Sequence, residues 1–410
     1  MNILFVHSNY PAQFKHLINH LKNKHNTIKF LAANREWNST DENPVELIRF
    51  EPARDAGGEL CHPYLKRFEK AIVVAQAAVK EALKLKQEGF NPDLIVGHSG
   101  FGATLFLKEI WKEAKFIGYF EWFYRSSGSD VGFIKNDAIT PDYACRVHTF
   151  NAPISLDLSV CDAAVSPTKW QAQQFPKKLQ NSIDIIFEGV DTKDLSPLTG
   201  EKERGLKLDF LPTIPSDVPL VTYTTRGFEP YRGWPQVAEG ISLLQKRNPR
   251  VHILLVGSDE VAYGSKRPDN MTWRQWAFQE FEYDATRLHF SPPLSYEKYI
   301  KVLQKSWVHI YWTIPFILSW SLIEAMSCGC SIVASNTEPV REVITSGIEG
   351  ILVDFYDSQG LADRVDELVR DNELRSSFSE RARQKIINSK YDKQSSLQKY
   401  DALIERVLNG

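Results

Sequence analysis

The chain has 410 residues, a length that favours two domains of ordinary size over one compact core. Its 49 basic residues nearly balance its 51 acidic residues, so no overall charge attracts nucleic acid or an anionic membrane. No segment approaches the roughly 20 apolar residues of a membrane-spanning helix, and the opening MNILFVHSNYP is typical of a first β-strand rather than a signal peptide. The five scattered cysteines include no Cys-x-x-Cys pair, so they favour a reducing cytoplasm and predict no zinc site.

Short β-rich apolar runs alternate with amphipathic helical segments along the chain, which predicts an α/β protein with parallel sheets covered by helices. In the first half the expected elements are strands at Asn2–His7, Thr27–Ala32, Leu94–Gly97, Lys115–Tyr119, Ala163–Ser166 and Ile183–Phe187, and a long helix at Tyr64–Gln87. The second half repeats the pattern with strands at Leu220–Thr225, Val251–Val256, Arg287–Phe290, Val308–Trp312, Ser331–Ala334 and Gly350–Val353. The polar, proline-containing stretch Thr192–Pro219 between the two series is the expected linker.

Two arginines lie in the segment TRGFEPYRGW, where the first strand of the second half is expected to lead into a helix. Planar guanidinium groups such as those of Arg226 and Arg232 bind diphosphate oxygens through charge-assisted, often bidentate hydrogen bonds. Gly233 allows close backbone approach, and the N-terminus of the following helix favours an anion. These features predict a diphosphate site, with ordinary surface ion pairs of the two arginines as the alternative.

A second informative segment, Pro315–Ala334, is expected to be a loop that enters a helix, ends at Gly329 and continues into a buried strand. Ser319 and Ser321 lie where the helix begins, so their hydroxyls and the local N–H groups are suited to phosphate oxygens. Glu324 lies deeper, among apolar residues, where a carboxylate needs a donor. A ribose diol offers two donors; solvent or a nearby arginine is the alternative.

Together these two segments resemble the donor-binding signature of family 4 glycosyltransferases, retaining enzymes of the GT-B fold, in which two Rossmann-like domains face each other across a central cleft. The resemblance implies that Arg226 and Arg232 hold the diphosphate of a UDP- or GDP-sugar and that Glu324 holds its ribose. Gly257 takes the place of a glycine turn at the nucleotide, and Glu338 lies in a loop near the sugar. The resemblance also implies catalysis without a metal or a cofactor.

The same resemblance divides the chain into an acceptor-binding domain, residues 1–190, and a nucleotide-sugar-binding domain, residues 191–387. The last helical stretch, expected within Ser379–Val407, is taken to return to the first domain over about residues 388–410 and to pack against it.

One position departs from the family pattern. The family has two glutamates separated by seven residues, and Phe316 stands where the first is expected. Glu121 follows a predicted strand at the place where many relatives have a histidine near the transferred sugar. A carboxylate among aromatic residues at the carboxyl end of a strand is suited to a site, so Glu121 is the predicted catalytic substitute. His98 and Asn9, each just after another strand, are weaker candidates for the same site.

The aromatic run from Trp122 to Arg125 has two interpretations. Aromatic rings stack on the apolar faces of pyranoses, but such clusters also serve as packing. Both interpretations stay open.

The sequence therefore predicts a cytoplasmic, retaining hexosyltransferase with an unidentified acceptor, which can be a glycan, a lipid, a protein or a small molecule. The basic residues of Lys15–His25 leave peripheral membrane contact open. The alternatives are a non-catalytic sugar-nucleotide-binding protein, and a phosphorylase or epimerase of the same fold.

Overall fold

The computed structural model describes residues 1–33, 45–135, 139–198, 214 and 217–410. These residues form two compact units: Met1–Gly189 together with Lys393–Gly410, here the N-terminal unit, and Val190–Asp392, here the C-terminal unit. Most of the linker expected at Thr192–Pro219, namely residues 199–213 and 215–216, lies outside the described residues. Within the described ranges, no helix has both the length and the apolar character needed to cross a membrane.

The N-terminal unit is built on a seven-stranded parallel sheet in the order β3-β2-β1-β4-β5-β6-β7. Its strands are β1 (Asn2–His7), β2 (Thr27–Ala32), β3 (Glu46–Arg49), β4 (Leu94–His98), β5 (Lys115–Tyr119), β6 (Ala163–Ser166) and β7 (Ile183–Ile185). Its helices are α1 (Lys15–Lys22), α2 (Lys66–Gln87), α3 (Leu107–Ile110), α4 (Pro141–Thr149), α5 (Ala152–Val160), α6 (Lys169–Ala172) and α7 (Lys177–Gln180), and the unit is completed by the C-terminal helix described below.

Both faces of this sheet are buried, because successive side chains of a strand point to opposite faces. In β1, Ile3 and Phe5 join the core that also contains residues of α1 and of the C-terminal helix. Leu4 and Val6 join a second core formed with α2. A strand covered on both sides reads as one continuous apolar run, which is why β1 is recognisable in the sequence.

The C-terminal unit has a six-stranded parallel sheet in the order β10-β9-β8-β11-β12-β13. Its strands are β8 (Leu220–Gly227), β9 (His252–Ser258), β10 (Leu288–Ser291), β11 (Val308–Tyr311), β12 (Ser331–Ser335) and β13 (Ile351–Val353). Its helices are α8 (Trp234–Arg247), α9 (Trp273–Glu280), α10 (Tyr296–Lys305), α11 (Trp320–Ser327), α12 (Glu338–Arg341), α13 (Ser358–Arg370) and α14 (Asn372–Ile387).

The predicted strands and the long helix of the first half are confirmed, with ends that differ by at most two residues. Strand β3, Glu46–Arg49, was not predicted. It lies at the edge of the sheet with no fully buried residue, so it has no apolar run by which to recognise it.

The single helical stretch expected at Ser379–Val407 is wrong, because two helices share it. Helix α14 ends at Ile387, and the C-terminal helix, α15 (Lys393–Asn409), begins after a short break. In the break the Tyr391 carbonyl accepts the Val190 N–H at 2.9 Å, and Asp392 pairs with Val190 in a parallel bridge. An extended pairing of this kind is incompatible with helical backbone angles, so the helix is interrupted there.

Candidate functional site

Arg226 lies near the carboxyl end of β8, with its side chain exposed. Its carbonyl accepts the Ser258 hydroxyl at 2.9 Å. The next residue must be glycine, because a Cβ on Gly227 would lie 2.0 Å from the Glu260 carbonyl oxygen. The Arg226 guanidinium makes no hydrogen bond or ion pair with any residue of the described ranges, so the surface ion pair considered for it is not observed there.

Arg232 ends a short 3-10 helix, Pro230–Arg232, and is partly buried. Its Nη1 donates to the Thr313 hydroxyl at 3.2 Å and to the Ile317 carbonyl at 3.4 Å. Its guanidinium carbon lies 5.4 Å from the centre of the Tyr263 ring. Neutral groups thus orient this guanidinium, and among the described residues none of its partners is a carboxylate.

Gly233 has a φ of +64°, a conformation that favours glycine. A Cβ there would lie 2.1 Å from Cδ1 of the buried Trp312. The glycine therefore allows α8 to begin directly against the end of β11, close behind Arg232.

Ser319 is the N-cap residue of α11, and its Oγ accepts the Ser321 N–H at 3.3 Å and the Ser321 hydroxyl at 3.0 Å. The Ser319 N–H donates to the Tyr311 hydroxyl at 2.9 Å. The structure therefore places both serines at the start of this helix, as the sequence predicts, in contact with each other.

Glu324 is buried in α11, with 7% of the residue exposed. The Tyr296 hydroxyl donates to its Oε1 and the Tyr299 hydroxyl to its Oε2, each at 2.9 Å. Burial and the Glu324 charge raise the pKa of the Tyr299 hydroxyl, which therefore remains a donor. Sequence analysis missed these partners, although their spacing of three residues places them on one face of α10.

Gly257 and Glu338 have surroundings that differ from the expected ones. Gly257 does not form a turn after the strand but lies within β9. A Cβ there would lie 2.8 Å from the Thr225 carbonyl oxygen on the neighbouring strand, so close strand packing explains the glycine. Glu338 is the exposed first residue of α12 and accepts a hydrogen bond from Arg341 at 2.8 Å.

Phe316, which the resemblance places where the family has its first glutamate, is buried with 5% exposed. The centre of its ring lies 5.6 Å from that of Tyr231 and 5.1 Å from that of Tyr263. Phe316 is therefore part of an aromatic cluster.

Glu229 lies between the two arginines in the sequence and was not predicted to be a site residue. It is fully buried, and its Oε2 accepts the Tyr263 N–H at 2.8 Å. Burial raises its pKa to about 6, although Arg232 and Arg226 act in the opposite direction. Because Tyr263 contacts the Arg232 guanidinium, Glu229 helps to fix the loop that orients this arginine.

In the N-terminal unit, Glu121 follows β5 and its side chain is 27% exposed. Its Oε1 accepts the Gln13 side-chain amide at 3.3 Å, and its Oε2 lies 3.6 Å from His98 Nε2. The Gln171 amide donates to the Glu121 carbonyl at 2.9 Å and holds the backbone. The structure thus brings Glu121 and His98 together at the carboxyl ends of two strands.

A second histidine, His7, completes this group. Its ring contacts the His98 ring at 4.7 Å between centres, and its Nδ1 accepts the Asn9 N–H at 2.8 Å. Burial, with the neighbouring His98, lowers the pKa of His7 well below its usual value. His98 Nδ1 lies 2.9 Å from the Ser99 carbonyl and must donate to it. Sequence analysis missed His7, although it ends β1 as His98 ends β4.

Two family models cover most of the chain. Residues 24–195 match the glycosyl transferase family 4 group, and residues 210–385 match the glycosyl transferases group 1. The chain belongs to the family 4 type of group 1 glycosyltransferases. The family resemblance seen in the sequence is thereby confirmed.

Curated relatives align over parts of their length. An uncharacterized glycosyltransferase of Methanocaldococcus jannaschii is 30% identical over 30% of this chain and 31% of its own length. The D-inositol 3-phosphate glycosyltransferase of Mycolicibacterium smegmatis is 24% identical over 51% of this chain and 45% of its own length. The chain thus spans less than half the length of either relative.

Solved structures align over the whole chain. HepE from Anabaena, in complex with UDP-glucose, has a TM-score of 0.71 and 13% identity over 99% of this chain and 100% of its own. Sucrose-phosphate synthase from Thermosynechococcus elongatus has a TM-score of 0.69 and 16% identity over 100% of this chain and 99% of its own. These similarities confirm the predicted GT-B fold.

Proposed function

We propose that the protein is a glycosyltransferase that moves a hexose from a UDP- or GDP-sugar to an acceptor, with retention of the anomeric configuration. Membership of the family supports sugar transfer, and the UDP-glucose in the HepE complex supports a nucleotide-sugar donor. The observation that carries the proposal is the exposed guanidinium of Arg226, which makes no hydrogen bond or ion pair with any of the described residues.

The C-terminal unit binds the donor in this proposal. Arg226 and Arg232 contact the diphosphate, and the Ser319 hydroxyl at the start of α11, which accepts the Ser321 hydroxyl, provides a further donor. Two guanidinium groups stabilise the charge that develops on the leaving diphosphate, and this type of stabilisation is usually the largest catalytic contribution. The reaction then needs no divalent metal.

The ribose binds to Glu324 in the proposed complex. A carboxylate offers about four acceptor positions, so donation by Tyr296 and Tyr299 is compatible with donation by the ribose hydroxyls. The tyrosines hold the buried carboxylate in place before the donor arrives.

The N-terminal unit provides the acceptor site and the groups that face the reacting sugar. Glu121 lies beside His98, so the pair can hold a sugar hydroxyl or pass a proton. Glu121 thereby takes the role that the missing first glutamate, replaced by Phe316, has in the family.

A second candidate function is a sugar-nucleotide-binding protein without turnover. The aromatic surroundings of Phe316 favour it, because they leave no carboxylate at that position. The two functions differ in one result: only the enzyme releases nucleoside diphosphate repeatedly from a nucleotide sugar. Product analysis also separates a phosphorylase or an epimerase.

Calorimetric titration with UDP, GDP and ADP tests the donor site. Arg226→Ala is expected to weaken binding of the preferred diphosphate about tenfold or more, because a hydrogen bond to a charged group contributes about 1.5–3 kcal/mol. The matched control is Arg250→Ala: Arg250 is exposed just before β9, at the opposite end of the same sheet. Equal affinities of the parent and Arg226→Ala contradict the assignment.

A further inference from the structure

A cavity of about 410 Å³ lies within the N-terminal unit and is lined by none of the residues assigned above to donor or sugar. Three segments form it: the residues that follow Glu121 after β5, one side of α4, and the turn between α6 and α7. Its lining comprises Phe123, Tyr124, Arg125, Ser126, Ser127, Ala144, His148, Gln173, Gln174, Phe175, Pro176, Lys177 and Gln180.

The charged side chains of the lining are all basic. Arg125 and Lys177 are exposed, His148 adds an imidazole, and the described part of the lining contains no aspartate or glutamate. Neither Arg125 nor Lys177 makes a hydrogen bond or an ion pair with a residue in the described part of the chain. In a chain whose net charge is −2, this local arrangement attracts an anion.

The neutral part of the lining is suited to a carbohydrate. Phe123 is partly exposed, and its ring lies 5.1 Å, centre to centre, from the ring of the buried Phe175. Ser126 and Ser127 add hydroxyl groups beside it. Small-molecule sites commonly combine an aromatic wall with a few polar groups that fix the orientation.

One side chain of the lining, Gln174, is buried and polar. Gln174 is only 3% exposed, and its Nε2 donates to the Trp170 carbonyl at 2.8 Å, which fixes the amide orientation. Its Oε1 is buried without a donor among the described residues. A buried acceptor left unpaired is destabilising, so this amide is an unsatisfied polar group in the wall behind the cavity.

We propose that this cavity binds an anionic sugar, carrying a carboxylate or a phosphate, as part of the acceptor. The proposal rests on the proposed function. Arg125 follows Glu121 by four positions, so their Cα atoms lie at most about 14 Å apart. An acceptor with its charged sugar in the cavity therefore has its reactive end within a short oligosaccharide's length of Glu121.

Ligand-observed NMR titrations of the full chain test this proposal with four probes: glucuronate, glucose 6-phosphate, glucose and inorganic phosphate. Glucuronate or glucose 6-phosphate is expected to bind at least about tenfold more tightly than glucose and phosphate, and the tighter of the two identifies the anionic group. Arg125→Gln and Lys177→Gln are expected to weaken that binding about tenfold or more. The matched control Lys178→Gln, one residue along the same helix but outside the lining, is expected to leave it unchanged.

Three results overturn the proposal: glucose binds as tightly as the tighter acidic sugar, phosphate alone binds as tightly as that sugar, or neither cavity variant changes the binding. UDP and GDP affinities measured on the same samples report on folding and on the donor site. If UDP or GDP binds and no acidic sugar does, only the cavity assignment is refuted. If an acidic sugar binds and neither nucleotide does, only the proposed donor site is refuted.

Discussion

Replacing Glu121 with glutamine distinguishes a catalytic role of this residue from a structural one, because the expected loss of folding stability is small. Glutamine keeps a carbonyl oxygen that can accept the Gln13 amide, now at 3.3 Å. The contact with His98 spans 3.6 Å and joins a buried imidazole to a side chain that is 27% exposed, and contacts of partly exposed polar groups contribute up to about 1 kcal/mol. For a unit of about 200 residues, a loss of about 1 kcal/mol lowers the melting temperature by no more than about 4 °C.

The expected effect on turnover is far larger. A positioned acid–base group contributes about 10²–10⁴ to the rate, so Glu121→Gln is expected to lower the rate of nucleoside diphosphate release about a hundredfold or more. Binding of the diphosphate is expected to survive, because its proposed contacts belong to the C-terminal unit.

The assay measures melting temperature, diphosphate affinity and initial rate on one preparation of each protein. The matched control is Glu46→Gln, which removes another carboxylate of the N-terminal unit, at the edge strand β3, where Glu46 pairs with Lys29 at 2.7 Å. This control is expected to keep full turnover. A Glu121→Gln protein that melts earlier but turns over at the parental rate refutes the catalytic assignment and leaves Glu121 a structural role.

Three further substitutions test the C-terminal unit. Gly233→Ala is expected to lower the free energy of unfolding by about 2–5 kcal/mol, because alanine is strained in the left-handed conformation and its Cβ overpacks the site. An unchanged melting temperature contradicts this prediction. The pKa of Glu229 is about 6 in the folded protein and 4.5 in the unfolded chain, so the folded state binds this proton more tightly. The protonated carboxyl therefore stabilises the fold below pH 4.5, and this stabilisation is lost as the pH rises through 6. Relative to the parent, Glu229→Gln is therefore expected to gain about 2 kcal/mol in stability between pH 4.5 and 7.5; a pH-independent difference in melting temperature refutes this. Tyr299→Phe is expected to lower the free energy of unfolding by about 1.5–3 kcal/mol, because it removes a donor to the buried Glu324. Tyr296→Phe is expected to have a smaller effect, because 51% of Tyr296 is exposed. Equal melting temperatures of the two variants contradict this prediction.

The sequence predicts the fold well because most strands here are covered on both faces. Strand β1 and strand β12 contain only apolar or small buried residues over most of their length, and such runs are visible without a structure. The break between α14 and α15 was not predictable, because it depends on the pairing of Asp392 with the distant Val190.

The candidate site is predictable where it is local and not where it is assembled from distant segments. Arg226 and Arg232 belong to one short motif, so the sequence shows both. The grouping of His7 with His98 depends on strand β1 lying beside β4 in the sheet. The tyrosines that hold Glu324 come from another helix, and no local pattern connects them with it.

The central claim is that the C-terminal unit binds a nucleotide sugar for transfer, and the release of nucleoside diphosphate from UDP- and GDP-sugars tests it most directly. The assay is run in the presence of a metal chelator, with a panel of neutral and acidic sugar acceptors. The account predicts repeated release coupled to transfer, and a rate at least about tenfold lower for Arg226→Ala at subsaturating donor. No release from any nucleotide sugar, or equal rates for the parent and Arg226→Ala, contradicts it.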